Sequence, residues 1–227
     1  MVEVGLDEAA ARLGLSRQRV HQLVHAGDLP ARRVAGRWVV DDAQLDRLAE
    51  GRSPGRPFSP RVAWGLIGLI ESGDAPALSA PERSRLRNRL RHEPSLEELA
   101  RLARGRSAVH RLHAHPGAVG RAMAWDGAVP TGASAPGHDV VDTRRAEIYL
   151  PAATLPALRR ALRLRDGDGN DNLVVRVPAV DAWPFPDGKA GPVTVALDLW
   201  DAGDARSRRA ADVMFRRALA AGRFEAR

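Results

Sequence analysis

Apolar positions near the start of the chain recur at helical spacing. Residues 7–13 predict a short helix whose acidic first turn suits the positive end of the helix dipole. Residues 17–26 predict a second helix, in which Val20, Leu23 and Val24 follow the i, i+3, i+4 pattern of a buried stripe. The pattern therefore predicts two short helices joined by a tight turn.

The next stretch changes to the pattern of a hairpin. Two short strands flank Ala35-Gly36, and Gly36 can supply the positive φ that a tight hairpin turn needs. We expect Trp38 to anchor the hairpin to the core through its indole ring. Two aspartates at positions 41–42 then predict the start of a third helix, which carries Leu45 and Leu48. Residues 1–51 are thus expected to form one small domain with a hairpin wing.

The remainder divides into a linker and two further segments. Three prolines and two glycines among residues 51–60 forbid a continuous helix, so residues 52–60 are expected to form a linker. Residues 61–125 predict a mostly helical, arginine-rich segment. Residues 126–227 predict a mixed α/β domain, with strands at 146–150, 173–177 and 193–199 and helices at 155–164 and 204–221. The predicted fold class is α+β, and 61–227 can also be taken as one domain.

Composition narrows the classes of function. Cysteine is absent, which excludes a disulfide framework, a thiolate zinc site and a cysteine nucleophile. No apolar run approaches the roughly 18 residues of a membrane helix, and the N-terminus has no basic start before an apolar stretch. We therefore expect a cytoplasmic protein with no membrane partner. We also expect no enzyme activity, no cofactor and no metal.

The placement of charge carries more information than its total. The formal net charge is +7 and Lys189 is the only lysine, but an arginine bias can come from GC-rich coding as well as from function. Residues 17–37 contain five arginines and only one acid, Asp28, whereas the acids of this domain cluster at 3–8 and 41–50. A basic face with an acidic back suits a surface that neutralises DNA phosphates.

The exposed side of the second helix and the hairpin tip are therefore expected to contact DNA. Arg17 begins the second helix, and that end enters the major groove when such a helix pair docks. Arginine suits a guanine edge and glutamine suits an adenine edge, and Ser16 can also cap the helix. The candidate DNA-binding residues are Ser16, Arg17, Gln18, Arg19, His21, Gln22, His25, Arg32, Arg33, Gly36 and Arg37.

Five stretches of the N-terminal domain form one pattern over about 45 residues: Asp7-Glu8-Ala9-Ala10, Leu13-Gly14-Leu15-Ser16-Arg17, Val20-His21-Gln22-Leu23, Gly27-Asp28-Leu29-Pro30-Ala31 and Val34-Ala35-Gly36-Arg37-Trp38. Together they resemble the excisionase/MerR-type helix-turn-helix. It implies a winged helix-turn-helix in which the second helix and the wing contact DNA. Here those contacts fall to Arg17, Gln18, His21, Gln22, Arg33 and Arg37.

Seven segments of the rest of the chain form one ordered pattern: Arg56-Pro57-Phe58-Ser59-Pro60 with the helix around Trp64, Leu112-His113-Ala114-His115-Pro116, Thr131-Gly132-Ala133-Ser134-Ala135, Ala146-Glu147-Ile148-Tyr149-Leu150, Asn172-Leu173-Val174-Val175-Arg176, Ala196-Leu197-Asp198-Leu199 and Gly203-Asp204-Ala205-Arg206-Ser207. Together they are similar to AbiEi-like regulators, the antitoxins of toxin–antitoxin pairs whose toxin is a nucleotidyltransferase. The resemblance implies an autoregulating antitoxin. Its expected partners are double-stranded DNA carrying an inverted repeat, a second copy as a homodimer, and a cognate toxin.

Other interpretations stay open on the sequence alone. The first domain could bind only another protein, or act as an excisionase-like accessory protein. Asp198, Asp201 and Asp204 follow a predicted strand, as metal-binding acids do in some nucleases, although no matching lysine motif follows. Residues 166–171 only partly match a calcium loop, and the histidines at 110, 113 and 115 do not share one helical face. The arginines at 83–91 step by two, which favours a solvated helix over a phosphate-binding stripe.

Overall fold

The chain forms two compact units, 1–56 and 57–227, each with its own hydrophobic core. The computed structural model describes residues 3–13, 15–26, 29, 31–34, 36–41, 45, 57–140, 142, 145–167 and 170–225.

The first unit is a helix pair packed on a small antiparallel sheet. Its elements are β1 (Glu3–Gly5), α1 (Leu6–Leu13), α2 (Arg17–Ala26), β2 (Ala31–Val34) and β3 (Arg37–Asp41). The sheet has the order β1-β3-β2. The core is formed by Val4, Leu6, Ala9, Ala10, Val20, Leu29, Val40 and Leu45. The predicted helices and hairpin are confirmed, whereas β1 was not predicted because three residues are too few to show strand alternation.

Two sequence predictions fall largely outside the described residues. Of the third helix expected to follow residues 41–42, the structure describes only Leu45, which is helical and fully buried. Of the linker expected at 52–60, only residues 57–60 are described, and Pro60 already begins a helix.

The second unit contains seven helices and five strands among its described residues. The helices are α3 (Pro60–Ser72), α4 (Ala80–Leu90), α5 (Leu96–Leu102), α6 (Pro116–Met123), α7 (Leu155–Leu162), α8 (Pro192–Ala202) and α9 (Ala205–Ala220). The strands are β4 (Ser107–His113), β5 (Val129–Pro130), β6 (Ala146–Tyr149), β7 (Arg165–Asp166) and β8 (Leu173–Pro178). Single 3₁₀ turns occur at Gly132–Ser134 and Arg223–Glu225.

The second unit is layered around one mixed sheet. The strand order is β5-β6-β8-β4-β7, in which β6 and β8 are parallel and the other neighbours are antiparallel. Alternate side chains of a strand point to opposite faces, so Leu173 and Val175 pack with α6 and α7, whereas Arg176 points towards α8. This unit also has another hydrophobic core, separate from the one between the sheet and helices α6 and α7. It is largely helical and is built from α3, α4, α5, α8 and α9.

The predicted strand at 193–199 is wrong, because these residues lie in α8. All seven are buried, and a fully buried apolar run does not show whether its period is that of a strand or of a helix. The signal that decides between them is Gly191-Pro192, since proline suits the first position of a helix. In addition, β4 lies within the segment 61–125 that was predicted to be mostly helical.

The arginines of α4 hold neighbouring segments in place. Arg87 donates hydrogen bonds to the carbonyl oxygens of Phe224 at 3.0 Å and of Gly73 at 3.3 Å. Arg89 forms an ion pair with Glu98 at 2.5 Å, and Arg83 donates to the carbonyl oxygen of Leu78. These contacts engage guanidinium groups with the unit itself, which disfavours a phosphate-binding stripe on this helix.

Candidate nucleic-acid interface

Helix α2 begins at a side-chain cap. The hydroxyl oxygen of Ser16 accepts a hydrogen bond from the backbone N–H of Arg19 at 3.2 Å, which satisfies one of the free donors at the helix start. Arg17 lies beside the carboxylate of Asp7 on α1, with 3.4 Å between Nε and Oδ1. Both side chains are more than two thirds exposed, so solvent screens this pair and Arg17 can exchange it for another anion.

The predicted contact residues share the exposed side of α2. Val20 is fully buried and Leu23 and Val24 are half-buried, as the apolar stripe predicts. Every candidate on or just before the helix is exposed: Ser16, Arg17, Gln18, Arg19, His21, Gln22 and His25. At about 100° per residue, Arg17, Gln18, His21, Gln22 and His25 fall within an arc of about 140°, and Arg19 lies beside that arc. The helix therefore presents amide, imidazole and guanidinium groups together.

The wing is the β2–β3 hairpin. Its register pairs Arg33 with Trp38 and Val34 with Arg37 around the turn, where Gly36 has the predicted positive φ of 79°. Arg32 and Arg33 are exposed on β2. Arg37 begins β3, but its side chain lies outside the described part of the structure.

Trp38 joins the wing to α2. The guanidinium carbon of Arg33 lies 4.8 Å from the centroid of the Trp38 ring, within the range of a cation–π contact. On the α2 side, the ring of His25 meets Trp38 edge-on at 5.8 Å, and His21 lies 4.1 Å from His25 between centroids. We call the three rings of Trp38, His25 and His21 the aromatic bridge. The sequence predicted that Trp38 anchors the hairpin, but no local pattern indicated its contact with His25.

Two contacts along α2 pre-orient its polar groups. His25 Nδ1 lies 2.9 Å from the carbonyl oxygen of His21, and since a carbonyl oxygen only accepts, Nδ1 carries the proton. Nε2 of His25 is thereby left as an acceptor in the neutral ring. Arg19 donates to the amide oxygen of Gln22 at 3.0 Å, which fixes the amide and leaves its NH₂ group to donate elsewhere.

The acids around Asp198 form a buried ion network in the second unit. Asp198 lies on α8, fully buried, and its carboxylate accepts hydrogen bonds from Arg106 at 2.5 Å, Thr131 at 2.5 Å and Tyr149 at 3.1 Å. Arg176 Nε is 3.2 Å from the same carboxylate. Arg106 and Arg176 also contact Asp201, one helical turn away, at 2.7 and 3.2 Å. The expectation that Asp198 follows a strand is wrong, because it lies within a helix and is surrounded by protein donors.

Glu147 lies beside this network, and one of its two carboxylate oxygens lacks a hydrogen-bond partner. It is 5% exposed, and its Oε2 atom, which packs against Gly132, has no hydrogen-bond partner. Burial raises the pKa of Glu147 to about 7, although the positive charge of Arg176 acts in the opposite direction. Burial and the carboxylate of Asp198 likewise raise the pKa of Tyr149.

The weaker metal-site candidates have other roles in the structure. His115 caps α6 by accepting from the N–H of Gly117 at 3.3 Å, and His113 contacts the carbonyl oxygen of Asn170 at 2.8 Å. Asp166 pairs with Arg159, and the rest of the partial calcium loop includes residues outside the described set. Among the described residues no group of three or more acidic, histidine or cysteine side chains could hold a metal ion. None of the described helices is long and apolar enough to cross a membrane.

The comparison with known protein families gives a match in the first unit. A family model described as a helix-turn-helix domain matches residues 4–53. This match agrees with the helix pair and wing seen in the structure and indicates sequence-specific DNA binding. Neither the comparison with curated proteins nor that with solved structures finds a match to this chain.

Proposed function

We propose that this protein is a transcriptional regulator that binds an inverted repeat near its own gene and represses that gene. The observation that carries the proposal is the shared exposure of the α2 candidates beside a basic wing, in a unit that matches a helix-turn-helix domain. A single small domain of this kind makes too few contacts for high specific affinity, so two copies acting on two half-sites are expected.

The two parts of the surface have different tasks in this proposal. Arg17, Gln18 and Gln22 supply donors and acceptors to base edges, because α2 presents them on one exposed face. Arg33 supplies a phosphate contact, since its guanidinium is held above Trp38 at the wing. Trp38 thereby acts as a positioning residue that fixes the wing relative to α2 through the aromatic bridge.

Contact variants test this division of tasks. Arg17→Ala should lower discrimination between the operator and mismatched sites, by about 1–3 kcal/mol at one base position. Arg33→Ala should weaken binding to all sequences and reduce the slope of log K against log salt by about 1. Both are measured by fluorescence anisotropy on operator and mismatched duplexes. Arg121→Ala is the matched control, because it removes one exposed positive charge from the second unit.

We further propose that the second unit is an antitoxin that counteracts a nucleotidyltransferase-like toxin. This proposal rests on the AbiEi-like resemblance, and the presence of a separate folded unit of its own is consistent with it. The test is to co-express the full chain with the neighbouring gene and to measure growth. Rescue that persists in Arg33→Ala would separate toxin antagonism from repression, whereas growth arrest despite expression of the full chain would contradict the antitoxin role.

No enzymatic role is proposed for the acids around Asp198. Asp198 is fully buried, and four protein groups already contact its carboxylate. A catalytic carboxylate must reach its substrate or a metal-bound water, and Asp198 would first have to give up these contacts.

A further inference from the structure

Gln22 lies near the centre of the exposed face of α2. Val20 is fully buried and Leu23 and Val24 are half-buried, so these three residues mark the side of the helix that packs on the first unit. At about 100° per residue, Gln22 lies within about 30° of the direction opposite this stripe, whereas Arg19 lies about 90° from that direction. Gln22 is therefore directed away from the core, and Arg19 flanks it.

A side-chain hydrogen bond sets the orientation of the Gln22 amide. Nη1 of Arg19 lies 3.0 Å from Oε1 of Gln22. A guanidinium group can only donate, so the amide atom that faces Arg19 is the carbonyl oxygen, and the NH₂ group is turned away from Arg19. The contact is exposed and therefore weak in water, but it strengthens when docking on DNA displaces water and lowers the local dielectric. Arg19 thus orients the amide in the state that meets a base.

This orientation changes which base edge suits Gln22. An unconstrained glutamine binds adenine in the major groove with both amide groups, since its oxygen accepts from the N6 amino group and its NH₂ group donates to N7. In Gln22 the oxygen already accepts from Arg19, and the positive charge beside it repels the partly positive hydrogens on N6. Guanine instead presents two acceptors, N7 and O6. The NH₂ group of Gln22 and the adjacent guanidinium are both donors and match them.

We propose that Arg19 and Gln22 act as a pair that reads guanine, in which Gln22 contacts the base and Arg19 positions its amide. The inference rests on the proposed function, because it requires that α2 enters the major groove. It adds the base that one position of the operator must carry, and it replaces the adenine edge that a glutamine ordinarily suits.

The first step of the test is to find the base pair that Gln22 reads. The full chain selects its site from a library of random duplexes, and fluorescence anisotropy then compares wild type with Gln22→Ala on duplexes that change one base pair at a time. The position at which Gln22→Ala loses discrimination is the one that Gln22 reads. There, wild type should prefer G·C over A·T by about tenfold, which is within the range that one well-placed side chain contributes.

Substitutions of Arg19 test its positioning role. Arg19→Met keeps a long side chain but removes its donors and its charge, so that the Gln22 amide becomes able to bind adenine with both groups. The preference at this base pair should then reverse in favour of A·T, by about fivefold or more. Arg19→Lys restores a donor and a positive charge and should keep the preference for G·C. A purely structural role of Arg19 would change the affinity without reversing the preference.

Arg33→Ala is the matched control, because it removes one positive charge from the wing of the same unit, where Arg33 contacts Trp38. It should weaken binding to all duplexes and leave the preference at this base pair unchanged. The inference alone would be overturned by a wild-type preference for A·T there, by an unchanged G·C preference in Arg19→Met, or by a Gln22→Ala chain that discriminates at every base pair as wild type does. A chain that selects no sequence from the library would contradict the proposed function as well.

Discussion

Asp198 ties together residues that are distant in the chain. Its carboxylate connects Arg106, which precedes β4, Thr131 beside β5, and Arg176 in β8, with separations of up to 92 residues. Two buried guanidinium groups depend on Asp198 and its neighbour Asp201 for compensating charge. Removing one member of a buried ion network leaves the others desolvated and unpaired, which costs far more than loss of a surface pair.

Asp198→Ala is therefore expected to lower the free energy of unfolding of the second unit by about 3–5 kcal/mol. The measurement is urea unfolding followed by tryptophan fluorescence, because four of the five tryptophans belong to this unit. Asp212→Ala is the control, since it breaks a surface pair with Arg216 and should cost less than about 1 kcal/mol. Equal effects of the two substitutions would contradict the structural role given to Asp198.

Glu147 should make the stability of the second unit depend on pH. Its folded pKa of about 7 lies above the ordinary value of 4.5, so the folded state binds more protons between these values. Its contribution to stability is full below about pH 4.5 and is lost as the pH rises through about 7. The loss amounts to about 3 kcal/mol, at 1.36 kcal/mol per pKa unit.

Glu147→Gln should remove this dependence, because glutamine stays neutral at every pH. The variant is expected to be more stable than wild type at pH 8 and similar to it at pH 4.5, as measured by urea unfolding across that range. A wild-type stability that rises between pH 5 and pH 7, with the same slope in the variant, would show that Glu147 is ionised in the folded protein.

At the scale of elements, α2 shows why the fold of the DNA-binding unit could be predicted from the sequence. Its cap at Ser16, its apolar stripe and the glycine turn of the wing are all local signals, separated by few residues. Strand β1 and the aromatic bridge were missed, because a short strand and a contact between Trp38 and His25 depend on tertiary packing. Helix α8 was predicted as a strand for a related reason, because its buried apolar run showed no helical period.

Substitutions at Ser16 should separate the cap from the DNA surface. Ser16→Ala removes the acceptor for the Arg19 N–H and should cost the first unit about 1 kcal/mol of stability. Ser16→Asp keeps a capping oxygen but adds a negative charge beside the expected DNA face. It should retain stability in thermal unfolding and lose DNA affinity in anisotropy. An unchanged affinity in Ser16→Asp would mean that this end of α2 does not approach DNA.

At the scale of the whole molecule, the net charge of +7 guarantees some attraction to any nucleic acid. Specific regulation requires more, namely a preference for one sequence that survives at physiological salt. The second unit could be predicted as mixed α/β from its element pattern, but its buried ion network could not. The network depends on which strands and helices become neighbours, and the local sequence pattern does not encode that choice.

The most direct test of the central claim is a fluorescence-anisotropy titration of the full chain against its own upstream DNA and a scrambled duplex, at two salt concentrations. The account predicts a preference for the upstream DNA of a hundredfold or more, about 3 kcal/mol, that is retained at the higher salt. Equal and steeply salt-dependent affinity for both duplexes, or no binding to either, would contradict it.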